Sequence, residues 1–235
     1  MNSIRLSVFV ILFINFSLSS HAQSNVITYD LKKGEAFDFL FLTTRKGSAE
    51  TFKEYRQNAF PVAAEMSYSP LPGFKIKQVV QGKYEPKGMV LGKWNSIALR
   101  EQFLEEIDER VPNFHEMRKK IWPLFSVTYY EVPKDFSFQL DMDKVVVATA
   151  CWQKKSTSSK FESSLKQWKD AVKETNGTIK VTFNHGKSPE GYVYNPDYMM
   201  ITQWNTQEDF EAFQKKNLQM EAEFLRNVNQ FVLDK

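Results

Sequence analysis

The stretches KWNS at residues 93–96 and QWNT at residues 203–206 decide the fold, because they present one pattern twice. Each has a Trp–Asn–Ser/Thr core, follows an apolar run and opens a segment whose apolar residues recur at helical spacing. A second matched pair lies upstream of each stretch, QGK at residues 81–83 and HGK at residues 185–187. A unit of about a hundred residues is therefore predicted to occur twice in the chain.

The first unit, residues 25–132, shows the order β-α-β-β-α-β. Apolar and β-branched residues at 37–43 predict a buried strand, and helical spacing follows over 48–66, where Pro61 should kink or end the helix. The sequence PLPG at residues 70–73 predicts a loop. The remaining elements are a hairpin over 74–83 and 89–94, helices over 96–110 and 114–121, and a strand over 124–132.

The second unit, residues 144–235, repeats this order after a linker at residues 133–143. Its first helix follows a strand at 145–152 and should end at Asn176, which precedes a glycine and suits a C-cap. Thr206 and Asp209 fit a capping box at the start of the last helix. The apolar face predicted to be buried on the first helix consists of Phe161, Leu165, Trp168 and Val172. The last helix is marked by Phe210, Phe213, Phe224 and Val228, before a closing strand at 231–233.

Between the two helices of the second unit, a hairpin is predicted over 179–185 and 198–204, with a longer loop than in the first unit around 192–198. A β-α-β-β-α-β unit forms a four-stranded antiparallel sheet with two helices on one face. The other face has to be covered, and two such units in one chain can cover each other. The predicted fold class is therefore α+β, with two tandem ferredoxin-like units packed sheet to sheet as a pseudo-symmetric barrel.

The order of the elements and the Trp–Asn–Ser/Thr signature after the third strand resemble the dimeric α/β-barrel superfamily. That group includes antibiotic-biosynthesis monooxygenase-like proteins, stress-responsive barrels and haem-degrading monooxygenases. The resemblance covers residues 37–132 and 145–233. It implies a pocket inside the barrel with a Trp at the strand end, so that Trp94 and Trp204 become candidate ligand-binding residues.

Haem-degrading members of the superfamily also use an Asn on the first strand and a His on the last helix. The first strands here offer Thr43, Thr44, Thr149 and Cys151 at the corresponding places. This departure argues against haem degradation, and no cofactor is expected.

The alternation of side chains along a strand gives further candidates for the pocket. We expect the alternating set that ends in Trp94 and Trp204 to face the space between the sheets, because its middle positions, Gly92 and Thr202, are small or polar. The matched polar positions Gln81 and His185 suggest a cavity rim. Tyr129 and Tyr130 are neighbours on one strand, so one of the two phenols should point inward.

His115 and His185 are the candidate catalytic residues, since histidine transfers protons near neutral pH. His115 lies on the broken second helix of the first unit, and a surface or capping role beside Pro112 is the alternative. His185 ends a strand and is alternatively an exposed strand-end residue. Neither has a second histidine at ligand spacing, so no metal site is expected.

The N-terminus resembles an export signal. Arg5 precedes an apolar segment at 6–18, and SHA at residues 20–22 has the form of a cleavage site. The segment is short for a membrane span, although an uncleaved anchor is the alternative. We therefore expect residues 1–22 to be removed, the protein to be periplasmic or extracellular, and no span to remain after cleavage.

Charge and cysteine content narrow the classes further. The chain has 31 basic and 28 acidic residues with no basic stripe, which does not suggest nucleic acid as a partner. Cys151 is the one cysteine, so no internal disulfide can form. It lies in an apolar strand pattern, where a buried small side chain is favoured over a reactive thiol.

Together these features predict an exported protein with one dominant aromatic-lined pocket for a small organic molecule. Catalysis, if present, would be cofactor-free proton transfer or oxygenation, as in an oxygenase, isomerase or lyase. The alternatives are a non-catalytic binding module of the cell envelope and a polysaccharide-processing protein. The sequence leaves the ligand and the oligomeric state open, and it is compatible with a monomer.

Overall fold

The computed structural model describes residues 25–153, 158–189, 194–219 and 225–235. Within these ranges the protein is α+β, with five helices and ten antiparallel strands. The helices are α1 (Ala49–Glu65), α2 (Ile97–Arg110), α3 (Phe114–Ile121), α4 (Ser158–Glu174) and α5 (Gln207–Gln219). The strands are β1 (Val26–Leu31), β2 (Ala36–Thr43), β3 (Ser69–Gln81), β4 (Gly88–Trp94), β5 (Leu124–Glu131), β6 (Phe136–Asp141), β7 (Val145–Gln153), β8 (Gly177–Asn184), β9 (Tyr198–Trp204) and β10 (Leu225–Asp234).

Eight strands form one sheet in the order β5-β2-β4-β3-β10-β7-β9-β8. The first half of the sheet consists of β2 to β5, and the second half consists of β7 to β10. Within each half the strands lie in the order fourth, first, third, second, which is consistent with a ferredoxin-like arrangement. The halves are joined by antiparallel pairing of β3 with β10. At the two ends of the sheet, the N–H groups of Tyr129 and Lys187 donate to each other's carbonyl oxygens at 2.8 and 2.9 Å.

Successive strand residues point to opposite faces of the sheet, and three apolar clusters follow from this alternation. One cluster fills the space enclosed by the strands and includes Phe37, Phe39, Leu91, Phe183 and Ile201. The other two lie between the sheet and the helices, one in each half. The predicted buried face of α4 is confirmed, since Phe161, Leu165, Trp168 and Val172 all belong to the cluster of the second half.

The segment expected to be a linker, residues 133–143, contains β6. This strand pairs with β1 in a separate two-stranded sheet that the sequence analysis did not predict. Tyr29 of β1 stacks on Phe138 of β6 with ring centroids 4.8 Å apart, and its hydroxyl donates to the carbonyl oxygen of Pro72 at 2.8 Å. The small sheet thereby packs against the enclosed cluster.

The prediction of a loop at residues 70–73 is wrong. Residues 70–73 belong to β3, because Pro70 and Leu71 pair with β4 while β10 pairs with β3 only from Lys75 onward. A proline is tolerated where its missing N–H has no partner strand to reach. Pro61 does not end α1, which continues to Glu65 because Val62 and Ala63 are buried in the core.

The predicted extent of the last helix is also wrong. α5 ends at Gln219, and Val228 belongs to β10. β10 pairs with β3 on one side and β7 on the other, and this double pairing outweighs the helical spacing of the apolar residues. Phe224 lies outside the described residues. The start of the helix is as predicted, since the N–H of Asp209 donates to Thr206 Oγ1 at 3.1 Å.

Candidate ligand pocket

A cavity of about 260 Å³ lies between the sheet and the helices of the first half. This volume is just below the range of about 300–1,000 Å³ typical of ligand sites, so it suits a small molecule. The lining is largely aromatic and aliphatic, with three charged side chains, Asp38, Arg100 and Arg118. The other lining residues are Leu40, Leu42, Thr44, Phe52, Tyr55, Ala59, Phe60, Ala63, Tyr68, Val90, Trp94, Phe103, Leu104, Phe114, Trp122, Phe125 and Val127.

A buried ion pair lies in this lining. Arg100 Nε on α2 is 2.9 Å from Asp38 Oδ2 and 3.2 Å from Asp38 Oδ1 on β2. Trp94 Nε1 donates to the same carboxylate at 3.1 Å. Asp38 is 3% exposed and Arg100 is 4% exposed. Burial raises the pKa of Asp38, although Arg100 and the hydrogen bond from Trp94 oppose the rise.

The Arg100 guanidinium is held in place by rings. Its central carbon lies 5.3 Å from the ring centroid of Trp94 and 5.0 Å from that of Tyr129, within the range of cation–π attraction. Arg100 Nη1 is buried and has no hydrogen-bond partner among the described residues. A buried guanidinium donor ordinarily finds an acceptor, so an unpartnered one beside a cavity is unusual.

Arg118 of α3 is the second cation of the lining. Its guanidinium carbon lies 4.2 Å from the ring centroid of Phe125 and 5.2 Å from that of Phe114. Burial lowers the pKa of Arg118 to about 10, so the side chain stays charged near neutral pH. Burial also raises the pKa of Tyr55 to about 12 and raises that of Tyr68, which keeps both phenols protonated.

The second half has different residues at the positions that correspond to Asp38 and Arg100. Trp94 pairs with the first residue of β2, and Trp204 pairs with the first residue of β7. Two residues further along these first strands lie Asp38 and Val147 respectively. Six residues after each Trp lie Arg100 and Phe210. Val147 and Phe210 pack in an apolar cluster, where the first half has its ion pair.

A third difference concerns Tyr68, which precedes β3 and whose ring centroid lies 4.9 Å from that of Trp94. Gly92 leaves room for this ring, which a Cβ at that position would overlap. In the second half, Gly177 corresponds to Tyr68 and Thr202 corresponds to Gly92. The ring that packs over the third strand is thus present in the first half and replaced by glycine in the second.

The prediction that Trp94 and Trp204 point into the space enclosed by the strands is wrong. Trp94 and Trp204 point to the helices, because Leu91 and Ile201 of the alternate set occupy the enclosed space. Trp94 nevertheless lines the cavity, which lies on the helix side of the sheet. Trp204 is in the apolar cluster of the second half, and its Nε1 donates to Thr175 Oγ1 at 3.4 Å. Thr202 is buried beside it.

The other predicted ligand-binding residues are placed separately. Tyr130 points into the enclosed space and donates to the carbonyl oxygen of Pro196 at 2.9 Å. Tyr129 points to the helix side, faces Arg100 and donates to Glu101 Oε1 at 3.1 Å. Gln81 lies at the end of β3, where its Oε1 accepts from Asn217 Nδ2 at 3.0 Å. Thr202 donates to the Val147 carbonyl at 3.3 Å.

Both predicted catalytic histidines lie on the surface. His115 Nε2 is 3.0 Å from Asp108 Oδ1, and 47% of its side chain is exposed. Its ring contacts that of Phe114, a lining residue, at 5.1 Å between centroids. His185 is exposed and has a φ of 60°. The described cavity lining includes neither residue.

Sequence reasoning missed Asp38, Arg100, Arg118 and Tyr68. One signal was present, because Asp38 is the one charged residue in the strand AFDFLFLT, where a charge needs a partner. Cys151 is buried as expected, and burial raises the pKa of its thiol. Among the described residues there is no group of His, Cys, Asp and Glu suited to a metal ion. A search of the same ranges for a helix able to cross a membrane found none.

No protein-family model and no curated protein sequence matches the chain. Similar solved structures include a mutant chlorite dismutase from Candidatus Nitrospira defluvii, with 7% identity, a TM-score of 0.49, and coverage of 87% of this chain and 92% of that chain. An anthrone oxidase-like protein has 15% identity, a TM-score of 0.48, and coverage of 88% and 94%. A putative monooxygenase from Fusobacterium nucleatum has 8% identity, a TM-score of 0.40, and coverage of 87% and 93%. These likenesses concern the fold alone.

Proposed function

We propose that the protein binds a small organic molecule in the cavity of its first half. One observation carries this proposal: the aromatic cavity contains a buried Asp38–Arg100 pair with a guanidinium donor directed to no acceptor of the described chain. An apolar pocket with a few fixed polar groups is the usual form of a ligand site.

Energetics support a binding role for the pair. Removing two charges from water costs several kcal/mol per ion, and the attraction between them often does no more than offset this cost. The second half has Val147 and Phe210 at the corresponding places and packs them in an apolar cluster. The fold therefore does not need an ion pair at this position, and ligand binding supplies a reason for one.

Cofactor-free proton transfer is a second candidate function. It is favoured by Asp38, a carboxyl group in the cavity wall whose pKa is raised by burial. Raising the pKa of a carboxyl moves it toward the range in which a general acid or base works near neutral pH. His115 and His185 do not support this function from their surface positions, so we place binding first.

We further propose that the two halves are a tandem repeat closed as a barrel of the dimeric α/β type. The shared strand order of the halves and the backbone bridge between Tyr129 and Lys187 support this view. Export to the periplasm or beyond remains a proposal that rests on the sequence of residues 1–22 alone.

The binding proposal is tested by isothermal titration calorimetry with 2-naphthoate and its neutral analogue 2-naphthamide. We expect saturable one-to-one binding of at least one probe. Ala59→Leu, which fills the cavity, should abolish it, whereas Ala171→Leu in the cluster of the second half should leave it intact. Absence of saturable binding of either probe, or equal loss in the two variants, would contradict the proposal.

A further inference from the structure

We infer that the ligand is an organic anion with a planar apolar body, whose charged oxygen accepts a hydrogen bond from Arg100 Nη1. The inference rests on the proposed function and names the chemical class that the pocket selects. It starts from the hydrogen bonds of one guanidinium group.

Arginine carries its donors in a rigid fork, so that one edge can bind a carboxylate while another donor points elsewhere. Arg100 uses Nε for Asp38, with distances of 2.9 and 3.2 Å to the two carboxylate oxygens. Arg100 lines the cavity, and its Nη1 is buried without an acceptor in the part of the chain that the structure describes. A ligand oxygen placed in the cavity would satisfy this donor.

The guanidinium is preorganised for such a contact. Asp38 fixes its position from one side, and the rings of Trp94 and Tyr129 lie 5.3 and 5.0 Å from its central carbon. Little side-chain freedom remains to be lost when a ligand binds, and this raises affinity. A hydrogen bond between a charged donor and a charged acceptor is roughly twice as strong as one between neutral groups.

The sign of the charge follows from the lining. Two guanidinium groups and one carboxylate face the cavity, and the carboxylate already accepts from Arg100 and Trp94. A cation would therefore meet two like charges and a carboxylate whose oxygens are engaged. An anionic oxygen meets a favourable field in a region of low dielectric, where such interactions are strong.

The shape of the ligand body follows from the rings of the lining. The ring of Tyr68 lies 4.9 Å from that of Trp94, and the ring of Phe103 lies 5.1 Å from it. Tyr55 and Phe114 stack at 5.4 Å on the helix side. Flat aromatic surfaces at these positions suit a planar body, since offset and edge-to-face ring contacts stabilise it beyond simple burial.

The test compares 2-naphthoate with 2-naphthamide in calorimetric titrations of the wild-type chain. The two probes share the naphthalene body and differ in charge. We expect the acid to bind about ten- to a hundredfold more tightly, as a charge-assisted hydrogen bond would provide. In the double variant Asp38→Val/Arg100→Phe, which copies the second half and leaves the net charge unchanged, this preference should fall about tenfold, because the hydrogen bond from Nη1 is lost and Arg118 is the one charged side chain left in the described lining.

If the first pair of changes prevents folding, the double variant Asp38→Asn/Arg100→Gln is measured in its place. It keeps the side-chain shapes and should show the same reduction in preference. Equal affinity of the wild type for acid and amide, abolished by Ala59→Leu, would overturn the anion inference and leave the proposed function standing. A preference for the acid that keeps its wild-type size in the double variants would also overturn it. Failure of both probes to bind would contradict the proposed function itself.

Discussion

Asp38 and Arg100 form the arrangement that most distinguishes the first half from the second at the level of single residues. Each is almost completely buried, and each is the partner of the other. Arg100→Phe alone leaves a buried carboxylate without its cation, so we expect it to lower the free energy of unfolding by about 3–5 kcal/mol. Asp38→Val alone should have a similar effect, because it leaves the guanidinium buried.

The double variant Asp38→Val/Arg100→Phe should recover most of this loss, as apolar replacements of buried ion pairs often do, and should stay below the wild type by no more than the cost of the unpaired Trp94 N–H, about 1–3 kcal/mol. Urea denaturation of the three variants at neutral pH measures these differences. If the double variant is as unstable as the single ones, the pair is needed for folding, and its proposed role in binding loses its energetic support.

Residue-level prediction from the sequence named both Trp94 and Trp204, of which Trp94 lines the cavity, and it was wrong about the face that they occupy. β4 has apolar residues on both faces, Met89 and Leu91 on one and Val90 and Trp94 on the other, so alternation alone does not tell the inside from the outside. Gly92 and Thr202 were interpreted as part of a cavity wall. Gly92 instead makes room for the Tyr68 ring, a contact between distant parts of the chain that no local pattern encodes.

At the scale of elements, α4 tests how much a single helix face contributes to the fold. Trp168 is buried and stacks on Phe213 of α5, with ring centroids 6.4 Å apart. Trp168→Ala should lower the free energy of unfolding by about 3–5 kcal/mol, since a large side chain leaves a cavity behind. A denaturant titration that shows a loss below about 1 kcal/mol would contradict the predicted packing of this face.

Two controls make this measurement specific. Gln167→Ala, on the exposed side of α4, should change stability by no more than about 0.5 kcal/mol. Trp168→Phe retains a ring against Phe213 and removes a buried indole N–H that has no partner among the described residues. It should therefore cost much less than Trp168→Ala.

Element types and their order were largely predictable, because hydrophobic spacing separates helices from strands along most of the chain. The errors occurred where pairing between distant segments decides the outcome. β10 has Val228 at helical spacing from Phe213 and Phe210, but it forms a strand because it lies between β3 and β7. β1 and β6 pair with each other although they are far apart in the chain, so no local pattern predicts the pairing.

At the scale of the whole molecule, the two halves share one core. Phe183 of β8 lies 5.3 Å from Phe37 and 5.7 Å from Phe39 of β2, measured between ring centroids, and 5.5 Å from Tyr130 of β5. The halves are also joined by the β3–β10 pairing. Because the two halves share this core and one continuous sheet, we expect them to unfold as one cooperative unit rather than one after the other.

This expectation is tested with Phe183→Ala and two probes of urea unfolding. Far-ultraviolet circular dichroism follows the whole chain, and labelling of Cys151, a buried thiol on β7, follows the second half. Loss of the Phe183 ring should cost about 3–5 kcal/mol and shift both transitions to lower urea together. Val26→Ala, at an exposed position of β1, should shift neither by more than about 0.5 kcal/mol. If Cys151 becomes reactive well before the circular dichroism signal changes, the halves unfold independently, and the shared core does not couple them.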